Sequence, residues 1–139
     1  MSTKELIEFL TSLGYSVYPT PNFVPDLDNE FLFPCLFIVS NGGGSTDVDL
    51  PIQYPSFQII VKGKNALIDP LQFEKTENVG QNLINLLDQK ENFRIGNNTV
   101  YYCRSQMSSP ISIGMDLKNR PTYTLNFDFK LQPALKGEN

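Results

Sequence analysis

The sequence predicts an α+β domain, in which a single, mostly antiparallel β-sheet carries two α-helices on one face. Residues 122–131 alternate between polar and apolar side chains, as in a strand with one buried face. Residues 3–13 and 70–87 instead repeat their apolar side chains at helical spacing. Two helices interspersed with short strand patterns favour a layer of helices packed on one sheet.

Length and composition limit the class of protein. The chain has 139 residues, enough for one domain, and its hydrophobic fraction of 40% and charged fraction of 19% are typical of globular proteins. A formal net charge of -4 argues against binding nucleic acid by neutralising phosphates. No apolar run is long enough to span a membrane, and the polar, acidic N-terminal segment is unlike a signal peptide. We therefore expect no membrane partner.

The first helix is predicted from its cap. Ser2 and Glu5 have the spacing of a capping box, in which each side chain accepts a hydrogen bond from the backbone amide of the other residue. Gly14 follows as the expected C-cap. The apolar stripe between these ends consists of Leu6, Ile7, Leu10 and Leu13. A brief strand is expected at residues 15–18.

Three segments follow before the middle of the chain. Residues 19–30 contain three prolines and indicate an extended excursion. Residues 33–40 are apolar almost throughout, which indicates a strand covered on both faces. Residues 41–53 include three consecutive glycines, which leave the backbone free to adopt many conformations. We expect a long flexible loop there, and loops of that length in small domains are usually functional or disordered.

The middle of the chain predicts a strand at residues 54–63 and then the second helix. The inward face of that strand consists of Phe57, Ile59 and Val61. Asp69 is the expected N-cap of the helix and Pro70 its first residue. The apolar stripe of the helix consists of Thr76, Val79, Gly80, Leu83, Ile84 and Leu87. A helical glycine costs about 1 kcal/mol relative to alanine, so we expect Gly80 to permit a close approach to the sheet.

Residues 93–103 predict a hairpin. It is expected to turn at Gly96 and Asn97, since both residue types tolerate positive φ. Strict alternation in the second strand of the hairpin places Val100, Tyr102 and Arg104 on one face, with Tyr101 and Cys103 on the other.

The end of the chain predicts a loop, a long strand and a tail. Residues 110–121 are bounded by prolines and are expected to form a loop, with Gly114 and Asn119 as turn residues. The strand after this loop should bury Tyr123, Leu125, Phe127, Phe129 and Leu131. Residues 132–139 are expected to be a frayed tail.

No catalytic, cofactor or metal site is expected. The chain has no histidine, which removes the usual general base and the commonest metal ligand. Cys35 and Cys103 lie in apolar strand-like runs and are expected to be buried thiols. Asp26, Asp28 and Glu30 lack the glycine turn and the bidentate glutamate of a calcium loop. We therefore predict that the protein is not an enzyme.

Other patterns with functional precedents are also weak. Asp47 and Asp49 lie in the glycine loop, and a flexible loop cannot preorganise a general acid and base. The same loop is not a phosphate-binding P-loop, because no Gly-Lys-Ser or Gly-Lys-Thr follows. Tyrosines near Arg104 have the chemistry to stack on nucleotide bases, but the negative net charge favours core and interface roles.

The order of these parts resembles the tail-terminator proteins of long-tailed bacteriophages, a family also described as phage minor capsid proteins. The resemblance is best over residues 54–131. It rests on Tyr-Pro-Ser-Phe-Gln-Ile-Ile-Val-Lys-Gly before the second helix, on the Asp-Pro start of that helix, and on a Pro-x-x-x-Gly-x-Asp segment leading into a Tyr-x-x-Asn-Phe strand. The last two patterns consist here of Pro110, Gly114, Asp116, Tyr123, Asn126 and Phe127.

The resemblance implies a structural virion protein. Such a protein forms a ring, usually of six copies, on the end of the tail tube, stops tube polymerisation and presents a surface to the head-completion proteins. Its expected partners are further copies of itself, the tail tube protein and a head-completion or neck protein. DNA would pass through the ring without specific binding, which suits an acidic surface. The expected location is the tail or neck of the virion, and the host cytoplasm during assembly.

Five charged residues are candidates for the subunit or partner interface. Asp116, Lys118 and Arg120 lie in the predicted 110–121 loop, and Asp47 and Asp49 lie in the glycine loop. We expect both loops to become ordered on assembly. Arg120 is of special interest because a guanidinium can bind a carboxylate in bidentate fashion. A head-to-tail ring would bring one patch against a different patch of the next copy.

Two other functions remain open from the sequence. One is a different neck or head-closure protein of the virion, which would bind on the portal side. The other, less favoured, is a small regulatory ligand-binding domain, which would have a pocket and bind a small molecule.

Overall fold

The computed structural model describes residues 1–19, 33–47 and 49–133. The predicted excursion at 19–30, with Asp26, Asp28 and Glu30, lies outside these residues apart from its first position. The predicted tail lies outside them from residue 134 onward.

The described residues form two helices and a curved sheet of seven strands. The elements in chain order are α1 (Thr3–Ser12), β1 (Val17–Tyr18), β2 (Cys35–Ser40), β3 (Ser56–Lys62), α2 (Gln72–Leu87), β4 (Lys90–Ile95), β5 (Asn98–Ser105), β6 (Ile111–Met115) and β7 (Pro121–Gln132). The strand order is β1-β2-β3-β7-β5-β4, with β6 also paired to β7. Only the β1–β2 pair is parallel among these strands. The predicted α+β class is confirmed.

Strand β7 is the centre of the sheet. It pairs with β3 along one side, and with β5 and then β6 along the other. Its predicted inward face is confirmed, since Tyr123, Leu125, Phe127, Phe129 and Leu131 are all buried. The opposite face was expected to be wet, but Thr122 and Thr124 on it are buried as well. They share that face with Ile60 of β3, which packs on a second apolar cluster formed by Phe33, Cys35 and Phe37.

Helix α1 begins with the predicted capping box. Ser2 Oγ accepts a hydrogen bond from the Glu5 amide at 3.1 Å, and Glu5 Oε1 accepts one from the Ser2 amide at 2.9 Å. Leu6 and Leu10 are buried against the sheet. The helix contacts both β2 and β4, which lie near opposite edges of the sheet, so the sheet must curve around it.

Helix α2 covers β7, β3 and β5. The helix begins at Gln72 with Leu71 at the N-cap position, so the prediction of Asp69 as its N-cap is wrong. A short turn lies between Asp69 and the start of the helix. Asp69 caps that preceding turn instead, since its Oδ1 accepts a hydrogen bond from the Leu71 amide at 3.1 Å. The expected close approach at Gly80 is real, but its nearest neighbour is a loop residue. A Cβ built on Gly80 would lie 2.8 Å from Pro110 Cγ, and 3.7 Å from Leu125 Cδ1 in the sheet.

Two predictions in the second half are corrected. The hairpin turns at Gly96 and Asn97 as expected, but the pairing of β5 with β7 shifts between Val100 and Tyr102. This β-bulge breaks the expected alternation, so Val100 and Cys103 are both buried in the core. Residues 110–121 are not wholly a loop, because residues 111–115 form strand β6.

Both cysteines are buried and unpaired as thiols, as predicted. Burial raises the pKa of Cys35 to about 12 and also raises the pKa of Cys103. Neither thiol is therefore reactive near neutral pH.

Candidate assembly interface

The turn that joins β6 to β7 is built around Asp116. Asp116 Oδ1 accepts hydrogen bonds from the amides of Lys118 and Arg120, at 2.9 and 3.0 Å. Asn119 adopts a positive φ of 60°, as expected for a turn residue. The polar loop predicted here is thus a tight turn held by its own aspartate.

Asp116 also anchors the turn to the sheet. Its Oδ2 lies 3.1 Å from Lys62 Nζ, and both side chains are mostly buried. Burial alone would raise the pKa of Asp116, but the Arg120 and Lys118 amides and the Lys62 ammonium hold that pKa below its ordinary value. The carboxylate is therefore already paired inside its own subunit.

Arg120 lies inside the subunit rather than on its surface. The residue is only 2% exposed, and its guanidinium carbon stands 4.0 Å from the centre of the Phe33 ring. This is a cation–π contact, which links the turn to the second apolar cluster. Lys118, in contrast, is exposed on the turn. Of the three charges predicted for an interface here, Lys118 is the one with an exposed side chain.

Strand β6 is exposed along its whole length. It has β7 on one side, and among the described strands none pairs with its other side. Its three apolar residues, Ile111, Ile113 and Met115, are exposed, and so is Leu117 in the turn that follows the strand. We call the outer side of β6 with these four residues the β6 edge. Sequence reasoning missed it, although the alternation of Ile111, Ile113 and Met115 with Ser112 and Gly114 was the available signal.

A second apolar group lies close to the β6 edge. Leu67, Ile68 and Leu71 are exposed on the connection between β3 and α2. The Ala66 amide at the start of this group donates a hydrogen bond to the Asn119 carbonyl, at 2.8 Å. The two apolar groups therefore flank the same end of the sheet. Exposed apolar groups clustered in this way mark interaction sites more often than isolated ones do.

The glycine loop lies at the other end of β3. We call its described part, residues 41–47 and 49–53, the arm. The arm is paired at its base, because Gly44 and Tyr54 form a bridge and Gln53 exchanges backbone hydrogen bonds with Leu131. Gly43 has a φ of 102°, and a side chain there would overlap the Tyr54 carbonyl. Whether the arm is mobile in solution stays a prediction.

The two acidic residues predicted for an interface sit on the arm. Asp47 accepts a hydrogen bond from the Tyr54 hydroxyl, at 3.0 Å to its Oδ2. Asp49 is exposed, and so is the neighbouring Leu50. The structure thus separates the five candidate charges into two groups at opposite ends of β3. Their role at an interface stays a prediction.

The described residues also bear on two other classes of protein. They contain no group of three or more Cys, Asp or Glu side chains placed to hold a metal ion. None of their helices has the length and apolar character needed to cross a bilayer.

Comparison with known families decides the class. The sequence profile described as "Bacteriophage tail terminator protein" matches residues 22–133, which is more than half of the chain. This chain belongs to the bacteriophage tail terminator family. The family is structural rather than enzymatic, so the protein is a structural component of a phage tail. A search of curated proteins finds no match.

Proposed function

We propose that this tail terminator caps the end of the phage tail tube as a ring, stops tube polymerisation and forms the surface that joins the tail to the head. The family match over residues 22–133 carries the proposal. The partners are further copies of this chain, in a ring of six, the tail tube protein and a head-completion or neck protein. The ring is assembled in the host cytoplasm and remains in the virion.

The surface chemistry supports an assembly role. The β6 edge offers apolar side chains and unpaired strand backbone, which favour contact with another protein chain. The acidic composition, with a formal net charge of -4, suits a channel through which DNA passes without being held.

The test is the length and completion of tails in a phage whose copy of this gene is disabled. We expect tails of uncontrolled length that do not join heads, and rescue of both defects when the protein is supplied in trans. Electron microscopy of lysates measures both quantities directly.

Two results would overturn the proposal. Tails of normal length joined to heads, together with absence of the protein from purified virions, would remove the protein from tail assembly. Tails of normal length that fail only at head attachment would instead support a neck or head-closure protein.

A further inference from the structure

The β6 edge has only one of the features that usually protect the edge of a sheet, a bulge. Exposed edge strands are commonly blunted by charged residues, by proline, by bulges or by being very short. Strand β1 has two residues, and β4 carries Lys90, Glu91 and Arg94. Strand β6 has five residues and no charge. Its pairing with β7 shifts between Ser112 and Met115, which is a bulge at Ile113 and Gly114, and leaves Ile111 and Ser112 in regular pairing.

The structure leaves room for another chain beside β6. Strands β5 and β6 follow one another along the same side of β7. Outside them, β4 pairs with β5 from Asn98 to Cys103, and within the described part of the chain nothing continues this row along β6. The row is therefore half filled, and its open half lies beside the backbone of β6.

Charge indicates which surface fits this place. The arm contains Asp47 and Asp49 and no basic residue. The end of the sheet beside the β6 edge carries exposed Lys118 and partly exposed Lys64, together with the ion pairs Asp116–Lys62 and Asp69–Lys75. Leu50 on the arm is 57% exposed and supplies an apolar side chain for the same contact. Opposite charges with an apolar centre give a complementary pair of surfaces.

The distance within one subunit makes the contact intermolecular. The arm follows β2 and precedes Ser56, whereas the β6–β7 turn lies beside Lys62, at the opposite end of β3. Seven residues of strand separate these ends by roughly 20 Å. The base of the arm is also held by Leu131 and Tyr54. The arm is thus held at the Ser56 end of β3, away from the β6–β7 turn of its own subunit, which favours a contact with another copy.

We propose that the β6 edge of one copy receives the arm of a second copy, with Leu50 against Ile111 and Ile113 and the arm carboxylates beside Lys118. The contact is head-to-tail, because the donor and acceptor surfaces differ, and repeated contacts of this kind close into a ring when the rotation between neighbouring copies closes. The proposal rests on the ring proposed above and identifies the surfaces that form it.

Disulfide cross-linking in assembled tails tests the contact. The variants Leu50→Cys, Ile113→Cys and the double variant are supplied in trans to a phage whose own copy is disabled, and purified tails are oxidised. The native thiols are buried, so the introduced cysteines are the reactive pair. We expect a ladder of linked subunits in the double variant and none in either single variant. A Leu50→Cys/Glu91→Cys variant, with its second cysteine on β4, is the matched control and should give no ladder.

Each alternative result is decisive. A dimer band from Ile113→Cys alone would show two β6 edges facing each other, and would overturn the head-to-tail contact. Absence of any ladder in tails of normal length that contain the double variant would overturn the contact and leave the proposed function standing. Tails of normal length that form without the protein would instead refute the proposed function. The folding control is the double variant before oxidation, which should form tails if it folds.

Discussion

The two outer strands on the same side of β7 differ in how they meet solvent. Strand β4 exposes charged side chains, Glu91 and Arg94, and Asn92 between them adopts a positive φ of 53°. Strand β6 exposes Ile111 and Ile113 and carries no charge. Both strands have an irregular backbone, since β6 carries a register shift near Gly114, so the difference between them is charge. A charged edge resists pairing with another chain, whereas an uncharged apolar edge favours it. This difference in side-chain chemistry is the reason for proposing β6, and not β4, as the edge that another chain covers.

Removing a core side chain of β7 should disrupt both edges together, because β6 pairs with β7 directly and β4 is held through β5. Phe127 is fully buried, so Phe127→Ala is expected to lower the free energy of unfolding by about 3–5 kcal/mol. Denaturant unfolding of the purified protein measures this loss. A loss below about 1 kcal/mol would contradict the burial of that face.

A charge placed on each edge separates their roles. Ile113→Lys should abolish or strongly reduce incorporation into tails, because it places a charge at the centre of the proposed contact. Glu91→Lys on β4 is the matched change and should leave incorporation unchanged. Both residues are exposed, so the free energy of unfolding of each variant should lie within about 0.5 kcal/mol of that of the unaltered protein. Quantitative immunoblots of purified tails measure how much of each variant is incorporated. Equal incorporation of the two variants would contradict the proposal that β6, and not β4, is the contacting edge.

Acid should weaken the turn that holds β6 to β7. The pKa of Asp116 is lower in the folded protein than its ordinary value. Its ionised form therefore stabilises the fold fully above the unfolded-state pKa of about 3.9, and this contribution is lost as pH falls through the folded-state pKa. Asp116→Asn should have a lower free energy of unfolding than the unaltered protein at neutral pH. The difference between the two free energies should become smaller as the pH falls.

Denaturant unfolding of the two proteins at a series of pH values gives this difference directly. Other carboxylates titrate in both proteins, so the difference between them isolates Asp116. A difference in the free energy of unfolding that stays constant as pH falls would show that ionisation of Asp116 does not stabilise the fold.

The smallest expected effect concerns the exposed charge beside the β6 edge. Lys118→Glu should weaken incorporation into tails by roughly twofold to fivefold, as expected for a solvent-exposed ion pair. Adding Asp49→Lys should restore part of the loss, because the signs of both partners are then reversed. Competition between tagged variants during tail assembly measures such ratios. Failure of the second change to restore incorporation would show that Lys118 and Asp49 do not meet across the contact.

Local sequence determined several elements by itself. The alternation of β7 identified its buried face, because a period of two leaves only one way to place large apolar side chains inward. The cap of α1 and the turn at Gly96 and Asn97 were also found, since each depends on residues that are neighbours in the chain.

Tertiary structure decided the rest. Strand β6 has no core face of its own, so it exists as a strand only because β7 supplies its backbone partners. Arg120 is buried because Phe33, distant in sequence, provides the ring on which it stacks. The bulge in β5 likewise follows from its register against β7. A sequence pattern reports which side chains avoid water, whereas pairing partners, bulges and exposed edges depend on which strands meet in space.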